Sequence, residues 1–315
     1  MNEQNYIKLL EGALAIDATS AYDADALGFL SRAIVQASLP FQKPAGREYI
    51  RRNGTFTFGM QAGIDHELPY GSMPRLLLYW MCSQAVLTQD RHLVCGKSLT
   101  SFMGQLGLQA TGGRWGTITT LKSQLLRLAA ASVSCIDKSP KHDSYQDVTP
   151  ISGRRLWWDP RNPGQDQFWD STITLNYDFF QEIISYPVPI DLRAVALLKG
   201  SPLALDIYSW LTFRMSYLRR GTVIKWEDLA LQFGSSNASL KSFKQKFLKQ
   251  LKKVQEVYPA KVSNETKRGG LLLQPSKTHV LKLPKNQKLH KGTVTRIADK
   301  STHNRIPKPV DKAVN

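Results

Sequence analysis

A basic and polar helix surface is predicted to follow Ser239. Apolar residues recur there at intervals of three and four, from Leu240 to Val254, so they share the inward face of one helix. Lys, Ser and Gln fill the other positions, and these side chains suit the base edges and phosphates of DNA. An ordinary solvated helix is the alternative. The candidate DNA contacts here are Ser239, Lys241, Ser242, Lys244, Gln245, Lys249, Lys252 and Lys253.

A second group of polar and basic residues surrounds the glycine-rich turn TGGRWG. The helix amides that follow Gly112 and Gly113 are suited to hold a phosphate. A nucleotide-binding loop is not expected, because no Gly-Lys-Ser/Thr follows these glycines. Trp115 lies in the turn, whereas the other six tryptophans lie in predicted helices or strands and are expected in the core. The candidate DNA contacts here are Arg114, Trp115, Thr117, Thr119, Thr120, Lys122 and Ser123.

A third, smaller group lies between the segments YPAKVSN and GGLLLQPS, which are predicted to supply the edges of a β-hairpin. Lys267 and Arg268 occupy the connection between them. We expect both side chains to contact phosphates beside the site that the helices recognise.

The chain shows no arrangement of residues that is typical of catalysis or metal binding. Its six histidines are isolated in the sequence, unlike the paired histidines of DNA-nicking proteins. Cys82, Cys95 and Cys135 form no close pair, so we expect neither a zinc site nor a disulfide. Asp23 and Asp25 are interpreted as acids in the first turn of a helix. We therefore expect a protein that is not an enzyme and that uses no metal or cofactor.

Positive charge is concentrated in the last quarter of the chain. Residues 241–315 contain nineteen Lys or Arg and four Asp or Glu, a net +15 of the +17 carried by all 315 residues. This favours a polyanionic partner, because neutralising phosphates releases condensed counterions. A solvated tail or an anionic membrane surface is the alternative. No signal peptide or membrane-spanning run is expected, which favours a cytoplasmic location.

The elements that must position these groups form a diverged internal repeat. The first half begins with three predicted helices: a buried helix beginning near Pro74, a helix capped by Ser98 and closed by Gly107, and a helix from Thr117 to Ala131. Predicted strands in ASVSCI, RRLWW and FWDSTITLN follow them. In its second half, a long helix after Pro202, a helix in WEDLALQFG and the basic helix return in the same order. A further helix is predicted over Asp25 to Ala37.

This order predicts an α+β fold of tandem winged-helix domains, each a helix-turn-helix with a β-wing, followed by a basic C-terminal tail. The predicted regions are an accessory and linker region at 1–60, winged-helix domain 1 at 61–185, winged-helix domain 2 at 186–284, and a basic tail at 285–315 that we expect to be disordered.

Three stretches together resemble the plasmid-encoded RepA family of replication initiators. They contain LPYGSMPRLLLYW, GGRWGTITTLKSQLLRL and SPLALDIYSWLTFR, and the resemblance extends over about residues 65–275. It implies a bacterial, DNA-associated protein that starts plasmid replication by binding its origin through two winged-helix units, without a cofactor. It transfers no catalytic residue, and the tail beyond Pro284 lies outside it.

The expected mechanism begins with both recognition helices in successive major grooves of repeated origin sites, while the hairpins and tail contact phosphates. Several bound copies would strain the duplex, promote opening of an A·T-rich segment and recruit the host helicase and other replication proteins. A homodimer is also expected. The alternatives are a dimeric transcriptional repressor that acts on its own promoter without replication activity, and an RNA-binding or copy-control protein.

Overall fold

A computed structural model describes residues 3–139, 142–155, 161, 164, 171–234, 239–281 and 297. The N-terminal region contains α1 (Glu3–Ala18), β1 (Leu27–Ser31), α2 (Arg32–Val35), β2 (Glu48–Asn53) and β3 (Phe56–Gln61). The first unit contains α3 (Ser72–Thr88), β4 (His92–Val94), α4 (Leu99–Gln105), α5 (Thr117–Ala130), β5 (Ser132–Ser139), β6 (His142–Val148), β7 (Ile151–Arg155), β8 (Thr172–Leu175) and α6 (Tyr177–Ser185). The second contains β9 (Pro187–Asp191), α7 (Leu192–Leu198), α8 (Pro202–Tyr217), β10 (Thr222–Lys225), α9 (Trp226–Phe233), α10 (Leu240–Val257), β11 (Val262–Glu265) and β12 (Gly270–Leu273).

The two units share one order of elements. The first runs α3, β4, α4, α5, β7, β8, and its antiparallel sheet has the order β4-β8-β7. The second runs α8, β10, α9, α10, β11, β12, and its antiparallel sheet has the matching order β10-β12-β11. The fold is therefore a mixture of helices and small antiparallel sheets, as the sequence predicts.

The first unit departs from the second by an insertion between α5 and β7. The inserted strands β5 and β6 pair with each other, and β5 also pairs with β3. They form a sheet of order β2-β3-β5-β6 with the hairpin from the N-terminal region. The predicted strand in ASVSCI lies in β5, and β7 and β8 contain the described parts of the other two predicted strands. The remainder of RRLWW and the start of FWDSTITLN, with Trp157, Trp158 and Trp169, lie outside the described residues.

Local signals set the ends of several helices as the sequence predicts. Ser98 accepts a hydrogen bond from the backbone N–H of Ser101 at the start of α4. Gly107 follows the end of that helix with a φ of 67°, a left-handed conformation that favours glycine. Helix α3 is buried around its whole circumference, including Trp80 and Met81, as its continuous apolar sequence predicts.

The predicted helix over Asp25 to Ala37 is wrong in most of its length. Residues 27–31 form β1 instead, and only the four residues of α2 are helical. β1 pairs antiparallel with β9, which lies about 160 residues further along the chain, and every residue of β1 is buried. A local apolar pattern cannot reveal such a pairing, because short apolar runs suit helices and strands alike.

The N-terminal region contacts both units. Helix α1 packs against α7 and α10, while β2 packs against α9. The side-chain amide of Gln232 on α9 donates to the backbone carbonyl of Gln36 at 2.8 Å. The backbone carbonyl of Gln232 accepts from the Ser38 hydroxyl at 2.9 Å. The predicted domain boundaries at residues 60, 185 and 284 stay predictions.

A buried ion pair joins helix α3 of the first unit to helix α8 of the second. The Arg75 guanidinium on α3 donates to both carboxylate oxygens of Asp206 on α8, at 2.7 and 2.6 Å. The same guanidinium donates to the backbone carbonyls of Leu39, Pro40 and Gly71. Burial raises the pKa of the Asp206 carboxyl, and the Arg75 charge opposes that rise. The hydrogen bonds of all these groups form only if α3, α8 and the linker before α3 keep their relative positions.

Removing one partner of this pair should destabilise the protein strongly. We expect Asp206→Ala to lower the free energy of unfolding by about 3–5 kcal/mol, because it leaves the Arg75 charge buried without its carboxylate. The measurement is urea denaturation followed by circular dichroism. Glu67→Ala is the matched control, since Glu67 pairs with Lys43 and Arg127 at the surface, where solvent weakens ion pairs. Equal losses in the two variants would contradict this interpretation.

Candidate nucleic-acid interface

Helix α10 is held by an aromatic cluster beneath its inward face. Phe243 and Phe247 are buried, and the Trp226 ring lies 6.4 and 5.7 Å from their ring centroids. Phe233 of α9 contacts Phe247 at 5.6 Å. Leu251 and Val254 continue the buried face along the helix. These contacts fix which side of α10 faces solvent, in the orientation that its spacing predicts from Phe243 onward. Leu240, which the same spacing places on the inward face, is 39% exposed at the start of the helix.

The solvent side of α10 presents one basic stripe. Lys241, Gln245, Lys249 and Lys252 are exposed, and their spacing of four, four and three places them along one face. We call these four residues the lysine face. Ser242 and Lys253 are half-buried beside it. Lys246 is also exposed, on the flank of this face. It is not among the predicted DNA contacts, although the periodicity of the helix places it on the solvent side.

Two of the predicted contacts on this helix have structural roles. Ser239 caps α10, because its hydroxyl accepts from the backbone N–H of Ser242 at 3.2 Å. Lys244 is half-buried, and its ammonium lies 5.3 Å from the centroid of the Trp226 ring. This is a cation–π contact. Lys244 is therefore less available to a phosphate than the residues of the lysine face.

The turn between β11 and β12 presents the third predicted group. Lys267 and Arg268 are exposed there, and Gly269 follows with a φ of 63°, which lets the hairpin turn tightly. We call these two basic residues the hairpin tip.

Trp226 connects the hairpin tip to the start of α10. Its backbone N–H donates to the carbonyl of Gly269 at 3.2 Å. Its ring meets Phe243, Phe247 and the Lys244 ammonium near the N-terminal half of α10. The hairpin tip and the N-terminal part of the lysine face therefore lie at the same end of the second unit, although their residues are far apart in the sequence.

The group in the first unit lies at the start of α5. Arg114, Trp115, Thr119, Thr120 and Lys122 are exposed, while Thr117 and Ser123 are half-buried. We call these seven residues the first-unit patch. Ile118, Leu121, Leu125 and Leu128 face the core, so the helix has the orientation that its apolar spacing predicts.

The threonine hydroxyls of the first-unit patch bind the backbone of the preceding turn. Those of Thr117, Thr119 and Thr120 donate to the carbonyls of Gln109, Gly113 and Gly116 at 2.5, 2.9 and 3.0 Å. Their hydrogens are thus engaged within the protein. The oxygens of Thr119 and Thr120 can still accept a hydrogen bond, whereas the Thr117 oxygen already accepts from the backbone N–H of Thr111 at 2.9 Å.

Two backbone N–H groups that the sequence predicts to be available for a phosphate also donate hydrogen bonds within the protein. The backbone N–H of Thr117 donates to the Thr111 hydroxyl at 3.0 Å, and that of Ile118 donates to the Thr111 carbonyl at 3.3 Å. The expectation that the first-turn amides of α5 are open is wrong for these two groups, because the turn folds back over them.

The first unit also carries basic residues that the sequence analysis missed. Arg154 and Arg155 lie on β7 and are exposed. Strand β7 occupies the place in its sheet that β11 occupies in the second unit. RRLWW is predicted as a strand with its tryptophans in the core, and that prediction leaves its arginines unassigned. A charged pair at the start of such a segment was the available signal.

The described residues contain no group of three or more His, Cys, Asp or Glu side chains that could hold a metal ion. Cys82, Cys95 and Cys135 are buried free thiols. Burial raises the pKa of the Cys95 thiol to about 12. No helix in the described parts of the chain has both the length and the apolar character needed to cross a bilayer.

The family model described as plasmid-encoded RepA protein matches residues 68–228, just over half of the chain. The chain belongs to this family, the replication initiators to which the sequence resemblance pointed. No curated protein matches the chain significantly.

Two crystal structures of domains 2 and 3 of RctB resemble the fold. One contains residues 155–483 of RctB, is 11% identical to this chain, and covers 76% of this chain and 93% of its own, with a TM-score of 0.44. The other, a selenomethionine derivative, is 11% identical and covers 76% and 95%, with a TM-score of 0.45.

The cap of α10 gives a stability prediction that separates a structural role for Ser239 from a contact with DNA. Ser239→Ala should lower the free energy of unfolding by about 1 kcal/mol, because an amide of the first turn loses its acceptor. Ser239→Asn should keep the stability of the wild type, since Asn also caps helices well. Urea denaturation of both variants measures the difference. A similar loss in both, or in neither, would argue against the cap.

Proposed function

We propose that this protein initiates plasmid replication by binding repeated sites in its origin through two winged-helix units. The observation that carries the proposal is the placement of the hairpin tip beside the N-terminal part of the lysine face, with Trp226 between them. In a winged helix, the recognition helix enters the major groove and the wing reaches the flanking phosphates. The matching order of helices and strands in both units supports the same assignment for the first.

The roles of the individual groups follow from their exposure. Lys241 and Gln245, in the first turns of α10, are placed to meet base edges, while Lys249 and Lys252 further along are suited to phosphates. Lys267 and Arg268 would contact the adjacent backbone. In the first unit, α5 would enter a neighbouring groove, and Arg154 and Arg155 would take the place of the hairpin tip. None of these roles requires a metal or cofactor, and we propose no catalytic step.

The free energy of binding several copies would drive the opening of the origin. Each bound copy bends or twists its site, and A·T-rich steps deform most easily. The opened strands would then be accessible to the host helicase. A dimer that represses its own promoter is the other function that the same surface suits.

The first test is a footprint of the purified protein on the DNA that flanks its own gene. We expect several protected direct repeats for the wild type and loss of that protection for Lys241→Ala with Lys249→Ala. In a salt titration, the slope of log affinity against log salt should become smaller by about 1 for each phosphate contact removed. The matched control is Lys8→Ala with Lys43→Ala, which removes two exposed lysines of the N-terminal region.

The alternative outcomes discriminate between functions. A single protected palindrome would favour the repressor. Salt-sensitive binding without a footprint would contradict sequence-specific recognition. Equal weakening of the site variant and the control variant would show that net charge, and not the lysine face, determines the affinity.

A further inference from the structure

The first-unit patch contains an aromatic side chain that the fold does not use. Trp115 is 87% exposed, the highest value among the large apolar side chains in the described part of the chain. Trp80, Trp210 and Trp226 are each 3% exposed or less. A single exposed apolar residue is ordinary on a protein surface, so exposure alone assigns no role to Trp115.

The turn that presents Trp115 is held firmly, which is unusual for a surface loop. Thr111 and Thr117 exchange hydrogen bonds, with each hydroxyl accepting from the other residue's backbone N–H at 2.9 and 3.0 Å. The Thr119 hydroxyl and the Gly116 N–H both donate to the carbonyl of Gly113, at 2.9 and 3.1 Å. Trp115 therefore projects from a fixed backbone, so little backbone freedom remains to be lost on binding.

The glycines show how tightly this turn is closed. A Cβ at Gly116 would lie 2.3 Å from the carbonyl oxygens of both Thr111 and Gly112, so only glycine fits there. Gly113 adopts a φ of 89°, which favours glycine. The connection in the first unit runs from 106 to 116, whereas its equivalent in the second unit runs only from 234 to 239. The turn with Trp115 is thus an addition to the shared architecture.

Arg114 gives this turn a charged partner for the ring. Its guanidinium lies over the Trp115 ring at 5.2 Å from the centroid. An aromatic ring beside a cation suits a nucleobase with its phosphate, because the ring stacks on the base and the cation meets the charge. Paired bases already have both faces covered, and unstacking one step costs a few kcal/mol. An unpaired base offers a free face.

We propose that Trp115 is a stacking platform for an unpaired DNA base, with Arg114 contacting the adjacent phosphate. The inference rests on the proposed function, in which A·T-rich DNA beside the binding sites opens. Trp115 holds a base that has left the duplex and so favours the open form. The ligand is a single-stranded or unpaired segment next to a bound duplex site.

The test uses DNAs that all contain the protected site found by footprinting. One DNA is fully paired. Each of the others carries three mismatched base pairs beside the site, and the position of these mismatches shifts from one DNA to the next. We expect the wild type to bind the best mismatched DNA about 5- to 140-fold more tightly than the paired one, the range that stacking of one base supplies. Trp115→Ala should lose this gain, so that it binds the paired and the mismatched DNA with similar affinity. Trp115→Phe should retain most of the gain.

Several outcomes would overturn the inference. One is an equal loss of affinity for paired and mismatched DNA in Trp115→Ala, which makes Trp115 an ordinary duplex contact. Another is unchanged affinity of that variant for both DNAs. Failure of the wild type to bind the paired site would instead refute the proposed function. The thermal unfolding midpoint of Trp115→Ala should match the wild type, because the ring contributes little to the core.

Discussion

The placement of the two units depends on the Arg75–Asp206 pair. A guanidinium that is 4% exposed makes five hydrogen bonds, two to a carboxylate on α8 and three to carbonyls of the preceding linker and of Gly71. Beside it, the Tyr79 and Ser209 hydroxyls lie 2.5 Å apart on the same two helices. Burial raises the pKa of the Tyr79 hydroxyl, which keeps it neutral and able to donate. A polar junction of this kind permits one relative arrangement, because any shift leaves buried groups unsatisfied.

The two units reach similar surfaces by different physical means. In the second unit, an apolar cluster around Trp226 orients α10, and the same residue ties down the β11–β12 turn through its backbone. In the first unit, threonine hydroxyls and glycines hold the turn before α5. Packing leaves the lysine face of α10 exposed. Hydrogen bonding in the first unit instead engages the Thr117 and Thr119 hydroxyls and the Thr117 amide, which the sequence alone presents as free donors.

The N-terminal region adds a second set of connections between the units. β1 pairs with β9 at the start of the second unit, and the β2–β3 hairpin joins β5 of the first. The face of β2 meets α9, the helix that precedes α10. Movement of one basic surface relative to the other would therefore strain this region as well as the ion pair. This constraint suits the proposed function, in which two helices must match fixed spacings along a duplex.

The sequence by itself determined the parts of this protein that depend on neighbouring residues. The apolar spacing of α5 and α10, the Ser98 cap and the turn at Gly107 are local features, since each involves contacts within about one helical turn. The concentration of charge after residue 240 and the family motifs were also evident. Tertiary structure alone decided the rest, because it depends on residues that are distant in the chain. The conversion of residues 27–31 into a strand required β9, and the contact of Lys244 with a ring required Trp226. The engaged state of the Thr117 and Thr119 hydroxyls required the folded path of the turn before them. A pattern of residue types specifies which groups are available for chemistry, whereas only the folded backbone determines which of them the protein has already used.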